Sequence, residues 1–162
     1  MAITDDIVAT YRGPRRVAAR LLAGERHEAR PLAYLLAALG LFLVAQAPGL
    51  ARAAHLEPAS PFAQRVMAAA LALCALLPVF YALAALGHLA ARALGGTGDW
   101  FGGRIALFWA LLAVAPLVLL QGLVAAFVGP GGAYLATGIV VFAVFLWFWG
   151  AGLAASEFGA PA

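Results

Sequence analysis

His88 is the residue of this sequence best suited to chemistry, because imidazole binds metals and exchanges protons near neutral pH. It lies near the end of a long apolar run, four residues before Arg92 and on the same helical face. A single histidine without a paired ligand indicates hydrogen bonding near the lipid headgroups rather than ligation of a haem or chlorophyll. His27, His55 and Cys74 do not stand at metal-ligand spacings. We therefore predict no cofactor, no metal site and no catalytic residue, with His88 as the one remaining ligand candidate.

Two amides and two prolines interrupt the apolar runs. Gln46 and Gln121 lie deep within theirs, where amides usually bond across helices, so we predict intramembrane polar packing, with solute recognition as the alternative. Pro78 and Pro116 lie near the middle of their runs and predict helix kinks, because a proline removes one backbone hydrogen bond. Two kinks at similar depth also occur in transporters with broken helices. No apolar run contains Asp or Glu, which leaves a proton relay or cation pathway little to work with.

The amino-acid composition indicates what surrounds these apolar runs. Of the 162 residues, 65% are hydrophobic and 10% are charged, whereas soluble domains are about 45–50% apolar and about 25% charged. A packed core of this size cannot hide so much apolar surface from water, so lipid must surround it. The formal net charge of +3 then favours a membrane surface as the partner, not nucleic acid.

The predicted fold class is all-α, a polytopic membrane bundle of about four transmembrane helices. A bilayer core needs about 20 apolar residues per helix. The four runs of that length cover 32–50, 66–91, 105–128 and 133–155. The chain therefore divides into an N-terminal segment 1–30, a transmembrane bundle 31–156 and a short tail 157–162, with connections short enough to make successive helices antiparallel.

The N-terminal segment has an amphipathic pattern of its own. Pro14 is suited to the first turn of a helix, in which Val17 and Leu21 oppose the arginines. This pattern predicts a helix lying in the membrane interface, where each arginine adds about 1 kcal/mol of attraction to an anionic surface; a solvated tail is the alternative. The predicted membrane-surface residues are Arg12, Arg15, Arg16 and Arg20.

The distribution of arginine predicts the orientation. With four spans and the N-terminus inside, eight of the ten arginines lie in the cytoplasm and two outside. Cytoplasmic segments of membrane proteins carry the excess of basic residues. We therefore expect a multi-pass protein of the bacterial inner membrane with both termini in the cytoplasm.

One stretch resembles a known family. From His88 to Gln121, a helix ends in Gly95 and Gly96, a small polar turn leads to Trp100, and the next helix carries a central proline, Pro116. This arrangement resembles the bacterial branch of the Yip (Ypt-interacting protein) family over about the last two-thirds of the chain, from Arg65. Members usually have about five spans, whereas this sequence has four. The resemblance implies a non-enzymatic membrane role and no catalytic residues.

These observations predict a protein that is not an enzyme and that packs with other membrane proteins, or with itself, or shapes the bilayer. The absence of acids from the apolar runs, the short connections and the basic helix all favour this prediction. Two alternatives stay open. One is an accessory subunit of a respiratory or photosynthetic membrane complex, and the other is a small oligomeric transporter or channel component.

Overall fold

The computed structural model describes residues 3–129 and 131–159; residues 1 and 2 of the N-terminal segment and 160–162 of the tail lie outside this range. The described residues form seven helices and no strand. The helices are α1 (Ile3–Thr10), α2 (Pro14–Leu22), α3 (Ala29–Leu56), α4 (Phe62–Ala75), α5 (Leu77–Ala93), α6 (Trp100–Phe127) and α7 (Gly132–Glu157). Four segments are long and apolar enough to cross a membrane, namely α3, α4 with α5, α6, and α7. The predicted all-α bundle is confirmed, and the chain is a multi-pass membrane protein.

Contacts between neighbouring helices fix their directions. The Tyr34 ring of α3 meets the Trp109 ring of α6 with centroids 5.2 Å apart, and Arg52 of α3 reaches the carbonyl of Ala126 near the end of α6. These two helices therefore run parallel, since both contacts follow the same order along each helix. α5 and α7 run antiparallel to α6. We call the two ends of the bundle the Asp99 end and the Arg52 end, after residues at each.

The predicted spans fall within the observed helices, apart from Leu76, which lies between α4 and α5, and Val128, which lies just beyond α6. The predicted kink at Pro78 falls where α4 meets α5: Leu76 lies between the two helices with right-handed helical dihedral angles, and Pro78 stands in the first turn of α5. A proline there costs little, since an N–H in the first turn has no partner within its helix. Pro116 lies inside α6, which continues through it.

The core surrounds the first half of α6. Within Phe101–Ala115, all residues but Arg104 are buried, because α1, α2, α3, α5 and α7 all pack on this half. The second half of α6 is only partly covered. The Asp99 half of the bundle is therefore a packed protein interior, whereas the Arg52 half presents much of its surface to lipid.

α3 and α6 approach each other closely at Gly122, so alanine there is expected to separate them. A Cβ at Gly122 would clash with the backbone carbonyl of Ala45, and overpacking of this kind costs about 1–3 kcal/mol. We expect Gly122→Ala to lower the unfolding temperature in detergent by several degrees. Gly49→Ala is the matched control, because a Cβ at Gly49 meets nothing within 4 Å. Equal melting of the two variants would contradict the close approach.

Candidate functional site: the docked N-terminal hairpin and the Asp99 end

The N-terminal hairpin, defined as α1, the turn at Tyr11–Gly13 and α2, is packed against the transmembrane bundle. The side chains of Val17, Ala18 and Leu21 are buried, and α2 lies along α7 while α1 contacts α6. The predicted amphipathic helix is therefore present, but its apolar face packs on protein instead of entering lipid.

Two hydrogen bonds anchor the hairpin to the middle of α6. The buried Trp109 indole N–H donates to the hydroxyl of Thr10 at 3.1 Å, and that hydroxyl donates to the carbonyl of Asp6 at 2.7 Å. The Tyr11 hydroxyl donates to the carbonyl of Ala113 at 3.1 Å. Ala113 precedes Pro116 by three residues, and a mid-helix proline disturbs backbone bonding in the preceding turn. A side chain from another element is a usual way to satisfy carbonyls near such a proline.

The four arginines predicted for the membrane surface lie on the outer face of the hairpin. Arg12, Arg15, Arg16 and Arg20 are all exposed. Arg20 forms an ion pair with Asp6 across the hairpin, which keeps α1 folded back on α2. The structure thus brings the four residues together on one surface, attached to the bundle and not on a free helix.

The Asp99 end is closed by a buried pair that the sequence did not predict. Nδ1 of His88 and Oε1 of Glu157 lie 2.5 Å apart, with both side chains fully buried. The second carboxylate oxygen of Glu157 accepts the backbone N–H of Gly98 at 3.0 Å, and its carbonyl accepts that of Thr97 at 2.9 Å. Glu157 therefore ties together the ends of α5 and α7 and the loop between α5 and α6.

The surroundings of His88 decide what the pair can do. The contact between Nδ1 of His88 and Oε1 of Glu157 is a hydrogen bond, so one hydrogen lies between these two atoms. Nε2 is buried without a hydrogen-bond partner in the described part of the chain. The Trp100 ring lies 4.5 Å from the imidazole, and a Cβ on Gly103 would stand 3.1 Å from the Cβ of His88. A base oriented by a carboxylate needs a nucleophile at its other nitrogen, and no hydroxyl or thiol there bonds to Nε2.

His88 therefore has a structural role, because its bond to Glu157 joins the end of α5 to the end of α7. Its ring is enclosed, which leaves no open face for a macrocycle and disfavours the haem or chlorophyll ligand considered from the sequence. Among the residues described, no group of three or more His, Cys, Asp or Glu side chains could hold a metal ion.

Asp99 begins α6 and links it to the segment after the hairpin. Its Oδ1 accepts the backbone N–H of Gly102 at 2.8 Å, and Arg26 donates to its Oδ2 at 2.5 Å. Burial favours a higher pKa for Asp99, but the bonds from Gly102 and Arg26 outweigh it and lower the pKa below the ordinary aspartate value. A lowered native pKa means that the carboxylate stabilises the fold at neutral pH and stops doing so as the pH falls through that pKa.

Replacing Asp99 by alanine is expected to destabilise the protein by about 1 kcal/mol at neutral pH, the usual value of a helix N-cap. Asp99→Asn keeps the cap and loses the charge, so it is expected to cost less, because the Arg26 pair is partly exposed and screened. Thermal unfolding in detergent at pH 7 and pH 3 measures this. The cost of Asp99→Asn should shrink at the lower pH, and a cost that grows there would contradict the assignment.

Gln46 and Gln121 both line one cleft near the Arg52 end, so the structure brings together the two amides that the sequence placed on different spans. They do not bond to each other. The Nε2 of Gln46 donates to the carbonyl of Phe42 on its own helix at 3.5 Å.

Sequence reasoning missed Glu157, Thr10 and Trp109. Glu157 lies two residues beyond the fourth apolar run, and His88 stands near the end of the second. Runs two and four cross the membrane in the same direction, so their ends share one side. That topology was a usable signal for pairing the two residues. Nothing in the sequence marks Thr10 and Trp109 as partners.

Comparison with known proteins returned no match, whether to family models, to curated proteins or to solved structures.

Proposed function

We propose that this chain is a non-enzymatic protein of the bacterial inner membrane that shapes the bilayer by holding arginines inside one leaflet. The observation that carries the proposal is the bond from Tyr11 to the carbonyl of Ala113, which places the tip of the basic hairpin beside the middle of a membrane-spanning helix.

The charged residues of α6 and its neighbours supply a depth scale. Arg104 pairs with Glu28 at the Asp99 end, and Arg52 bonds to the carbonyl of Ala126 at the other. Arg104 and Ala126 are 22 residues apart, which is about 33 Å of helix. A hydrocarbon core is about 30 Å thick, so these two levels match its boundaries.

On this scale the hairpin tip lies well inside the membrane. Ala113 is nine residues from Arg104, or about 13 Å of helix. Arg12 directly follows Tyr11 and is exposed. Arg15 and Trp147 line one surface cleft. Trp147 directly precedes Phe148, whose ring centroid lies 5.0 Å from that of Tyr11.

Arginines at this depth require a local change in the bilayer. An arginine at the centre of a membrane costs about 2.5–3.5 kcal/mol or more, and snorkelling, thinning and water defects reduce that cost. Because the hairpin is anchored to α6 and α7, the arginines cannot rise to the surface as a free helix would. Headgroup phosphates and water move down to them instead, and the leaflet beside the hairpin becomes thinner.

The arginine distribution assigns this leaflet to the cytoplasmic side, where anionic lipids add to the attraction. The resemblance to the Yip family fits a membrane role without catalysis. Reshaping a bilayer involves no chemical reaction, so this role does not require a substrate-binding cavity at the hairpin.

Reconstitution into vesicles containing anionic phospholipid tests this function. We expect the wild-type protein to produce smaller or tubular vesicles than protein-free lipid, as seen by electron cryomicroscopy. The variant with Arg12, Arg15 and Arg16 all replaced by Gln is expected to lose most of the effect. Replacement of the same three by Lys keeps the charge and should retain it. Equal reshaping by the Gln and wild-type proteins would reject the proposal.

Packing against another membrane protein is the second candidate, and one observation favours it. α4 has no buried residue and presents Met67 and Leu71 outward, 62% and 63% exposed. Purification in mild detergent tests this role. A stoichiometric partner or a homo-oligomer that is lost on Met67→Ser with Leu71→Ser would support it, and a monomer without a partner would reject it.

A further inference from the structure

We infer that the cleft near the Arg52 end holds one glycerophospholipid from the leaflet on that side of the membrane. The site is separate from the hairpin and its proposed function, because it lies at the opposite end of the bundle. It is formed by α3, α6 and the start of α7.

The size and lining of the cleft suit part of a lipid. Its volume is about 360 Å³, within the usual range of ligand sites. Small residues, including Ala45, Gly49 and Ala125, leave this space between the helices, and the walls of the cleft are mostly apolar. Three polar side chains interrupt these walls, those of Gln46, Gln121 and Tyr134. An apolar cleft with a few placed polar groups binds a ligand that is itself mostly apolar.

The two amides have donors to spare. Gln121 has no hydrogen bond within the described part of the chain, and the one bond of Gln46 is long and returns to its own helix. Membrane amides normally bond across helices, and a polar group left unsatisfied in lipid is costly. Since the amide N–H groups can donate, a ligand with carbonyl oxygens would satisfy them. The ester carbonyls of a phospholipid are such acceptors.

Arg52 adds a positive charge that lies nearer the end of the bundle than these amides. Ala45, Gly49 and Arg52 share one face of α3, at spacings of four and three residues. The guanidinium of Arg52 donates to the carbonyl of Ala126 and has further N–H groups to offer, because arginine carries five. Gln121 lies five residues before Ala126, about 8 Å deeper along α6.

This vertical order matches a phospholipid. The phosphate would bind Arg52 at the membrane boundary, the ester carbonyls would accept from Gln46, Gln121 and the Tyr134 hydroxyl, and an acyl chain would lie against the apolar walls. An anionic phosphate is the complement that arginine binds best.

Native mass spectrometry of the protein extracted in mild detergent tests the site. We expect one phospholipid per wild-type chain, and about a tenfold loss of occupancy when Gln46 and Gln121 are both replaced by Leu, since each hydrogen bond contributes a several-fold change in binding. Arg52→Gln should reduce occupancy as well. Thr137→Val is the matched control, because Thr137 bonds within its own helix and does not line the cleft.

Tyr134→Phe removes one hydroxyl from an exposed side chain and keeps the inference testable if the double variant does not fold. It should lower occupancy by a few-fold without changing the unfolding temperature. Unchanged occupancy in both the Tyr134 and Arg52 variants would overturn the inference. So would a bound species that lacks a phosphate, such as a quinone or a fatty acid.

Discussion

Replacing Glu157 by alanine is expected to destabilise the protein by about 3 kcal/mol, the usual consequence of removing one member of a buried pair. The substitution leaves Nδ1 of His88 buried without its hydrogen-bond partner and removes the side-chain acceptor of the Gly98 N–H. Between the loop before α6 and the end of α7, the backbone bond from the Thr97 N–H to the carbonyl of residue 157 then remains. Thermal unfolding in detergent, followed by circular dichroism, measures the loss.

Two variants separate the role of the pair from simple loss of volume. Glu157→Gln retains an acceptor for His88 but turns an N–H₂ group toward Gly98, so it should cost less than alanine. The double variant His88→Ala with Glu157→Ala should cost less than the sum of its parts, because the two residues act as a unit. If Glu157→Ala unfolds within about 0.5 kcal/mol of wild type, the usual range for surface substitutions, the buried pair does not hold this end together.

Truncating the buried face of the hairpin is expected to release it from the bundle. Val17 and Leu21 are 3% and 6% exposed, and replacing both by alanine should cost about 3–6 kcal/mol of docking, mostly from Leu21. Trypsin cleaves after arginine, so undocking should raise cleavage of Arg12, Arg15, Arg16 and Arg20 by at least about a hundredfold.

Val8→Ala is the control for this experiment, because Val8 is 59% exposed on the same hairpin. It should be cleaved at the wild-type rate. Tyr11→Phe removes only the bond to Ala113 and should give a several-fold increase. Rapid cleavage of the wild-type protein, equal to that of the double variant, would show that the hairpin is not docked in solution.

The sequence predicted the parts of this structure that follow from local pattern. Long apolar runs without charge gave the four spans, and the alternation of Val17 and Leu21 with arginines gave the second helix of the hairpin. Pro78 marked the place where α4 meets α5, since proline is best accommodated in the first turn of a helix.

The contacts that define the sites depend on tertiary packing instead. An amphipathic helix can bury its apolar face equally well in lipid or against protein, and the pattern of Val17 and Leu21 is the same in both cases. Which face of α6 contacts the hairpin follows only from the tertiary structure, in which Trp109 bonds to Thr10 and Ala113 to Tyr11. Gln46 and Gln121 were recognisable as unusual, but their shared cleft follows from the parallel packing of α3 and α6.

The depth of the hairpin arginines is tested most directly by paired spin labels. In a Cys74→Ala background, Arg15→Cys labels the hairpin and Val79→Cys labels α5. Val79 is 53% exposed and lies two residues before Tyr81, whose ring packs on Phe108 of α6. The two labels therefore stand at a similar depth along α6. In vesicles we predict that a water-soluble relaxation agent reaches the label at position 15 while oxygen dissolved in lipid dominates at position 79. Equal, lipid-like accessibility at both positions would contradict the account, because polar headgroups and water would then not reach the hairpin.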